Sequence, residues 1–493
     1  MAATSARGRA PASGLARGLV DAAPGALVDG GVALVGHADK AGLAAIATGV
    51  NGLAAVAGAA LATRSPALGV VAAAAPHAAG GLLALRHGDA SRRGTLLATL
   101  SGMALAATAV APVRVRRGVA LATSMALVAG VATLDRRARR RDRADLNERV
   151  TLPRVPRPLP PVPAGTTDSD GVAPLLSRPG DFPVIDVTVP EPRVDLEAWR
   201  LELDGEVGTP LSLGVDELLA LPLEERDLLL VCVHNTVGGR RMGCARWTGI
   251  GLADLLDRAG APEDGWLVVE AVDGYSNVIA MPVARAHGFL AVGMAGEPLP
   301  REHGSPARLL VPGLTGQDGN TKWLRRMTVA VSPPPSYWGR RGWIDGTYPV
   351  HPASRIDSPG QHARVEPGEV CVRGYAWAPP VGVDAVLLQV DEGPWVDAEL
   401  GVDLGPDAWR PWTAPWQAIP GTHRLRVRCR TTTGHWQEEA ATTPYPHGVR
   451  GVHAITVQVG GGLGGSAPRR GFAAGAARLS WAARSVLAWG ARE

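Results

Sequence analysis

The stretch "LLLVCVHNTVGGRRMGCARWTG" (228–249) takes an apolar run up to Cys232, passes His234 and Asn235, and crosses two glycines into an arginine pair. A plain core strand needs no such polar sequel. Cys232 is either an ordinary buried cysteine or a thiolate presented at a strand end, where it can bind a soft metal or act as a nucleophile. The spacing argues against zinc: Cys232 and Cys244 do not form a CxxC, and no second cysteine pair follows nearby. A cysteine–histidine nucleophile using His234 or His303 would carry no local motif. One thiolate without an evident ligand set needs a prosthetic group to supply the remaining metal ligands.

A second constellation lies in "GEPLPREHGSPARLLVPGLTGQDGNTKWL" (296–324), with His303, Arg308, Asn320, Thr321 and Lys322 interleaved with glycine turns. Cationic and hydrogen-bonding groups on loops at strand ends suit a phosphate-bearing cofactor. A solvated loop would explain His303 or Arg308 singly. Lys322 weakens that explanation, because Lys40 is the only other lysine in a chain whose 50 basic residues are otherwise arginine.

The 493 residues are enough for two or three domains, and a net charge of +4 gives no argument for a nucleic-acid partner. Residues 1–150 are dominated by Ala, Val, Leu and Gly, with uncharged apolar runs at about 43–63, 65–85, 95–112 and 118–134. Each approaches the length of a membrane-spanning helix, so we expect an N-terminal α-helical membrane bundle, a soluble Ala-rich bundle being the alternative. "DRRARRRDR" (135–143) would keep the following domain cytoplasmic, whereas "RVRRGVALATSMALVAGVATL" (114–134) has the look of a twin-arginine export signal. An extracytoplasmic catalytic domain on a multi-pass cell-membrane protein is the expectation.

The proline-rich 151–170 reads as an extended spacer, 171–347 as an α+β domain, and 348–458 as a β-sandwich of short strands. Cys371 and Cys429 fall on two sandwich strands, either as buried thiols or as an inter-sheet disulfide that would point to an oxidising compartment. Residues 459–493 are a glycine linker and a basic amphipathic tail, a frayed terminus or a segment lying on a lipid surface.

Taken together, "VCVHNTVGG", "ARWTGIGLADLL", "VDGYSNV", "GMAGEPLPREHGSPARLLVPG" and "TKWL" resemble the molybdopterin domain of the sulfite oxidase family. The following "AWAPPVGVDAVLLQVDEGPW" and "DAWRPWTAPWQAIPGTHRLRVRC" resemble its C-terminal immunoglobulin-like dimerisation domain, so the resemblance spans about 171–458. The chain also resembles actinobacterial-type members with a multi-span N-terminal anchor. The resemblance implies a molybdenum–molybdopterin cofactor, with Cys232 as metal ligand and catalytic residue. It implies further that Asn235 fixes the thiolate loop, and that His303, Arg308, Asn320, Thr321 and Lys322 hold the cofactor. Oxygen-atom transfer to or from a small oxyanion or sulfoxide-like substrate, an external one-electron carrier and a homodimer are also implied.

There are departures. Trp343, in "SYWGRRGW" (336–343), stands roughly where sulfite-oxidising members have a tyrosine, leaving Arg340 and Arg341 as candidate anion contacts. His234 and Thr236 flank Asn235 in place of small or acidic residues. These changes put sulfite in doubt as substrate and leave, as the alternative, a catalytically silent membrane-tethered scaffold that kept the fold.

Overall fold

The computed structural model describes residues 140–163, 172–185, 187–188, 191–343, 348–444 and 448–460. Among them a first domain contains β1 (Leu201–Gly205), β2 (Leu211–Leu213), α1 (Val215–Leu219), β3 (Glu224–Val231), β4 (Met242–Gly251), α2 (Leu252–Arg258), β5 (Trp266–Ala271), β6 (Ser276–Ala280) and α3 (Met281–His287). It continues with β7 (Phe289–Met294), β8 (Glu297–Pro298), β9 (Arg308–Leu310), β10 (Asn320–Thr321) and β11 (Leu324–Ala330). The strands form two sheets, ordered β2-β1-β11-β5-β6 and β10-β9-β7-β4-β3, with β8 paired to β7.

The expected α+β domain is therefore mostly β, its three described helices being only five to seven residues long. Their role is to cover a sheet. Leu252, Leu255 and Leu256 are buried in α2, and the helix gives way to Gly260 at φ +63°. Strand β7 is buried throughout, and its side chains divide between two clusters, with a register shift against β4 at Thr248 and Gly249. Phe289, Ala291 and Met294 join a cluster with Trp247 and Phe182. Leu290 and Val292 join the main core with Ile250, Leu309 and Met327.

The second domain is a sandwich of β12 (Ala353–Ser358), β13 (Arg364–Val365), β14 (Gly368–Trp377), β15 (Val383–Val390), β16 (Trp395–Asp397), β17 (Glu399–Leu400), β18 (Arg410–Ala418), β19 (Gly421–Thr431) and β20 (His453–Val459). One sheet runs β12-β14-β18-β17, the other β13-β20-β19-β15-β16. In β19, Leu425, Val427 and Cys429 point into the core, while the alternate Arg426, Arg428 and Arg430 face out and stack on Trp395 and Trp436. The same parity decides the cysteines. Val372 faces the core, so its neighbour Cys371 is exposed, and Cys371 and Cys429 are not joined in a disulfide. The export argument built on that pair is withdrawn.

The expected N-terminal membrane bundle is also corrected. No helix among the described residues is long and apolar enough to cross a membrane. The described end of that region, 140–149, is a charged helical segment, and the four apolar runs lie outside the described residues, as does the tail beyond 460. Asp142 pairs with Arg301 at 2.6 Å and Arg143 with Glu302 at 2.8 Å, so this segment is docked on the first domain. The proline-rich stretch follows the same surface: Leu159 N donates to Glu225, and Val155 enters the main core.

The two domains share a core in which Leu229, Val231, Met242 and Cys244 meet Tyr375, Trp377 and Trp409. Leu229 N donates to the Asp407 carbonyl at 2.9 Å. His453, on the sandwich side, accepts from Ile356 N at 3.0 Å. Burial, with help from Arg355, lowers its pKa to about 4.

Two outcomes are expected. A β-carbon at Gly249 would lie 2.1 Å from the Leu290 carbonyl oxygen, at the bulge where β4 meets β7. Gly249→Ala should destabilise the protein by about 3 kcal/mol in urea unfolding. For His453, the unfolded chain takes up a proton below about pH 6.5 while the folded one resists until near pH 4. Stability is thus lost as pH falls through that window, by up to about 2 kcal/mol at pH 5. The His453→Gln variant should show a smaller drop in urea midpoint between pH 7 and pH 5.

Candidate cofactor site

Cys232 directly follows β3 and is half-buried. The chain then turns back on itself: Cys232 N donates to the Arg241 carbonyl, and Asn235 N donates to the Cys232 carbonyl, both at 2.9 Å. Asn235, 1% exposed, sits inside the turn, and its Oδ1 accepts from Arg241 N at 2.9 Å. This bond closes the turn from within. Glycine is required next. A β-carbon at Gly239 would lie 2.6 Å from Asn235 Oδ1, and one at Gly238, where φ is +68°, would lie 2.2 Å from the His453 ring.

Gly316 N donates to the Val231 carbonyl at 2.7 Å. This bond brings the β9–β10 loop to β3 and so joins the two ends of the sheet. Thr315 N donates to the Tyr348 carbonyl, and Tyr348 N donates to Asp318, each at 2.8 Å. Tyr348 packs with Val233, Trp338 and Trp343, and Trp343 meets the His234 ring edge-on at 5.7 Å. The wall beside the cysteine loop is aromatic.

On the other strands of the sheet the remaining candidates converge. His303 is wholly buried at the end of a short 3₁₀ turn, Arg301–His303. Its Nε2 is 2.7 Å from the Pro179 carbonyl oxygen, which can only accept, so Nε2 holds the proton of the neutral ring. Burial first, then the positive charge of Lys322, pushes its pKa well down and keeps it neutral. Nδ1 is left as an acceptor. Arg308 Nη1 donates to the His303 carbonyl at 3.2 Å, and its Nε donates to Asn320 Oδ1. Lys322 Nζ donates to the Glu302 carbonyl at 3.0 Å. Thr321 Oγ1 accepts from Asn277, which ties β10 to β6.

Arg340 and Arg341 are both exposed, Arg341 bound within its own loop and Arg340 also tied to β6. Arg340 donates to Pro335 O and Ser276 Oγ, at 2.8 and 3.1 Å. Arg341 lies over the Tyr337 ring at 3.6 Å.

Three further residues were not anticipated. Phe182 meets the rings of Trp247 and His303 edge-on at 5.5 and 5.6 Å, and the Arg308 guanidinium lies 5.0 Å from Trp247. Among the described residues, Trp247 Nε1, His303 Nδ1 and Thr315 Oγ1 are buried polar atoms with no hydrogen-bond partner. Buried polar atoms are ordinarily satisfied. An open donor on Trp247 and an open acceptor on His303, near the buried cations Arg308 and Lys322, match an anionic, hydrogen-bonding group of the molybdopterin kind. The residues fit the cofactor. Phe182 and Trp247 look like core aromatics in sequence, and only the open indole nitrogen distinguishes Trp247.

Comparisons with known proteins agree. Residues 187–338 match the family described as "Oxidoreductase molybdopterin binding domain". Mouse mitochondrial sulfite oxidase is 31% identical over 327 residues, covering 55% of this chain and 59% of that protein's length. Chicken sulfite oxidase is 31% identical over 317 residues, covering 54% of this chain and 68% of the relative. The crystal structure of the sulfane dehydrogenase SoxCD from Paracoccus pantotrophus superposes with a TM-score of 0.50 at 22% identity, over 54% of this chain and 77% of that one, which supports the fold. With the cofactor cradle, the two-domain fold and these similarities in agreement, the chain belongs to the sulfite oxidase family and carries its molybdopterin-binding domain.

Proposed function

We propose that this protein is a molybdopterin-dependent oxidoreductase acting on a small oxygen-bearing substrate. The observation that carries the reading is the buried, neutral His303 with its open Nδ1 beside Arg308 and Lys322, next to the sheet whose β3 is followed directly by Cys232. Bound there, the molybdenum–pterin group would supply two-electron oxygen-atom transfer, which side chains alone cannot perform.

The chain's own part is binding and electrostatics. Cys232 would hold the metal by its thiolate, and Asn235 keeps that residue at the strand end. Arg308 and Lys322 offset the negative charge of a phosphate-bearing group, and in a buried setting their effect is larger than in water. His303 Nδ1 accepts a hydrogen bond and cannot donate one in its present tautomer. Asn320 and Thr321 serve by orienting Arg308 and β6.

For the substrate, the aromatic cluster of Trp338, Trp343 and Tyr348 favours a neutral sulfoxide-like molecule over a bare oxyanion. The electrons would pass to or from an external one-electron carrier, and the sandwich would serve in a homodimer, as the family resemblance implies.

Protein made in a host that synthesises molybdopterin should hold close to one molybdenum per chain, and Cys232→Ser should lose turnover while keeping its unfolding midpoint. A folded wild type free of metal would sink the reading. For substrate, a dialkyl sulfoxide with a reduced viologen dye should give the higher kcat/KM, and faster turnover of sulfite with ferricyanide would reverse that assignment.

A further inference from the structure

The turn that follows Cys232 is satisfied on its inner side by its own chain, through Asn235, Thr236 and Arg241. Its outer side is held by the other domain. Arg355 of β12 donates from Nη1 to the Gly239 carbonyl at 2.9 Å. The same guanidinium is locked by Asp357, two residues on and so on the same face of the strand, through Nε at 2.6 Å and Nη2 at 3.0 Å. Both side chains are at most 2% exposed. Asp357 also faces Arg240, at 3.8 Å, and accepts from Ala173 N at 3.4 Å. The His453 ring closes the contact by filling the space a side chain at Gly238 would need.

From this geometry we infer that Arg355 is a positioning residue for Cys232. A guanidinium has a planar fork that can grip a carboxylate with two N–H groups while a third points elsewhere. Asp357 fixes the plane of that fork, and the remaining N–H fixes the Gly239 carbonyl. The carbonyl belongs to the same short turn that returns, through Arg241, to the backbone N–H of Cys232. The sandwich domain thereby sets where the thiol stands relative to His303, Arg308 and Lys322. Small displacements of reacting groups cost large factors in rate. The part of this inference that concerns turnover rests on the proposed function, while the part that concerns the thiol does not.

The test removes the grip without leaving a buried charge unpaired. Arg355→Met combined with Asp357→Leu replaces an ion pair by apolar groups of similar size, an exchange that is often near neutral for stability. Arg355→Lys keeps a cation beside Asp357 but lacks the fork. In cofactor-free full-length protein, the rate of iodoacetamide modification at Cys232 is followed by peptide mass spectrometry, with exposed Cys371 as internal standard. In loaded protein, the molybdenum(V) EPR spectrum and turnover are recorded.

In the double variant, Cys232 modification should change about tenfold relative to Cys371. The EPR g-values should shift, and kcat should fall about tenfold or more with KM little altered. Arg355→Lys should lie between the double variant and the wild type. A folded double variant with the wild-type modification rate and spectrum would overturn the inference. Should the double variant fail to fold, a wild-type modification rate in Arg355→Lys would overturn it equally. A wild type without molybdenum would remove the proposed function alone, and the modification rates would still decide this point.

Discussion

A backbone hydrogen bond, from Gly316 N to the Val231 carbonyl, joins the two ends of the β10-β9-β7-β4-β3 sheet. Everything at the site depends on that junction. Cys232 leaves one end, while Arg308, Asn320 and Thr321 stand on the strands at the other. Without it, the thiol and the buried cations would belong to opposite margins of an open sheet. With it, they serve one cradle, and Thr315 and Tyr348 form part of the seam.

The electrostatic arrangement follows from burial. Arg308, Lys322 and His303 occupy one region, and three positive charges there would be prohibitive. The histidine yields, because desolvation and the neighbouring lysine hold it neutral. Neutrality gives it one donor and one acceptor, and the Pro179 carbonyl takes the donor. The hydrogen-bonding character of the cradle is thus fixed by a backbone carbonyl in the segment that precedes the first sheet.

Much of this site was legible because the relevant residues break local rules. A cysteine at a strand end, paired glycines and a lysine in a chain almost without lysine each call for an explanation that packing does not supply. Asn235 entered through the family resemblance. Phe182, Trp247 and Tyr348 obey the rules of a core, so nothing local marks them. Arg355 lies more than a hundred residues from the turn it holds, and only the docking of two domains reveals the contact. For the cysteine pair of the sandwich both thiols and a disulfide stayed open, because spacing along the chain says nothing of strand parity, and parity sends Cys371 outward. The short helices blurred the class of the first domain, which the sheets dominate.

The helical segment at 140–149 has a mechanical consequence. Its two ion pairs grip Arg301 and Glu302, the residues immediately ahead of His303. A pull on the chain ahead of residue 140 would be transmitted to the shoulder of the cofactor loop. The Asp142–Arg301 pair is partly exposed and contributes at most about 1 kcal/mol, and Arg143 remains a quarter exposed, whereas the loop behind them is anchored by His303, Lys322 and Trp323. The latch is therefore the weaker link, and under load it would part before the loop that carries His303 is drawn out of place.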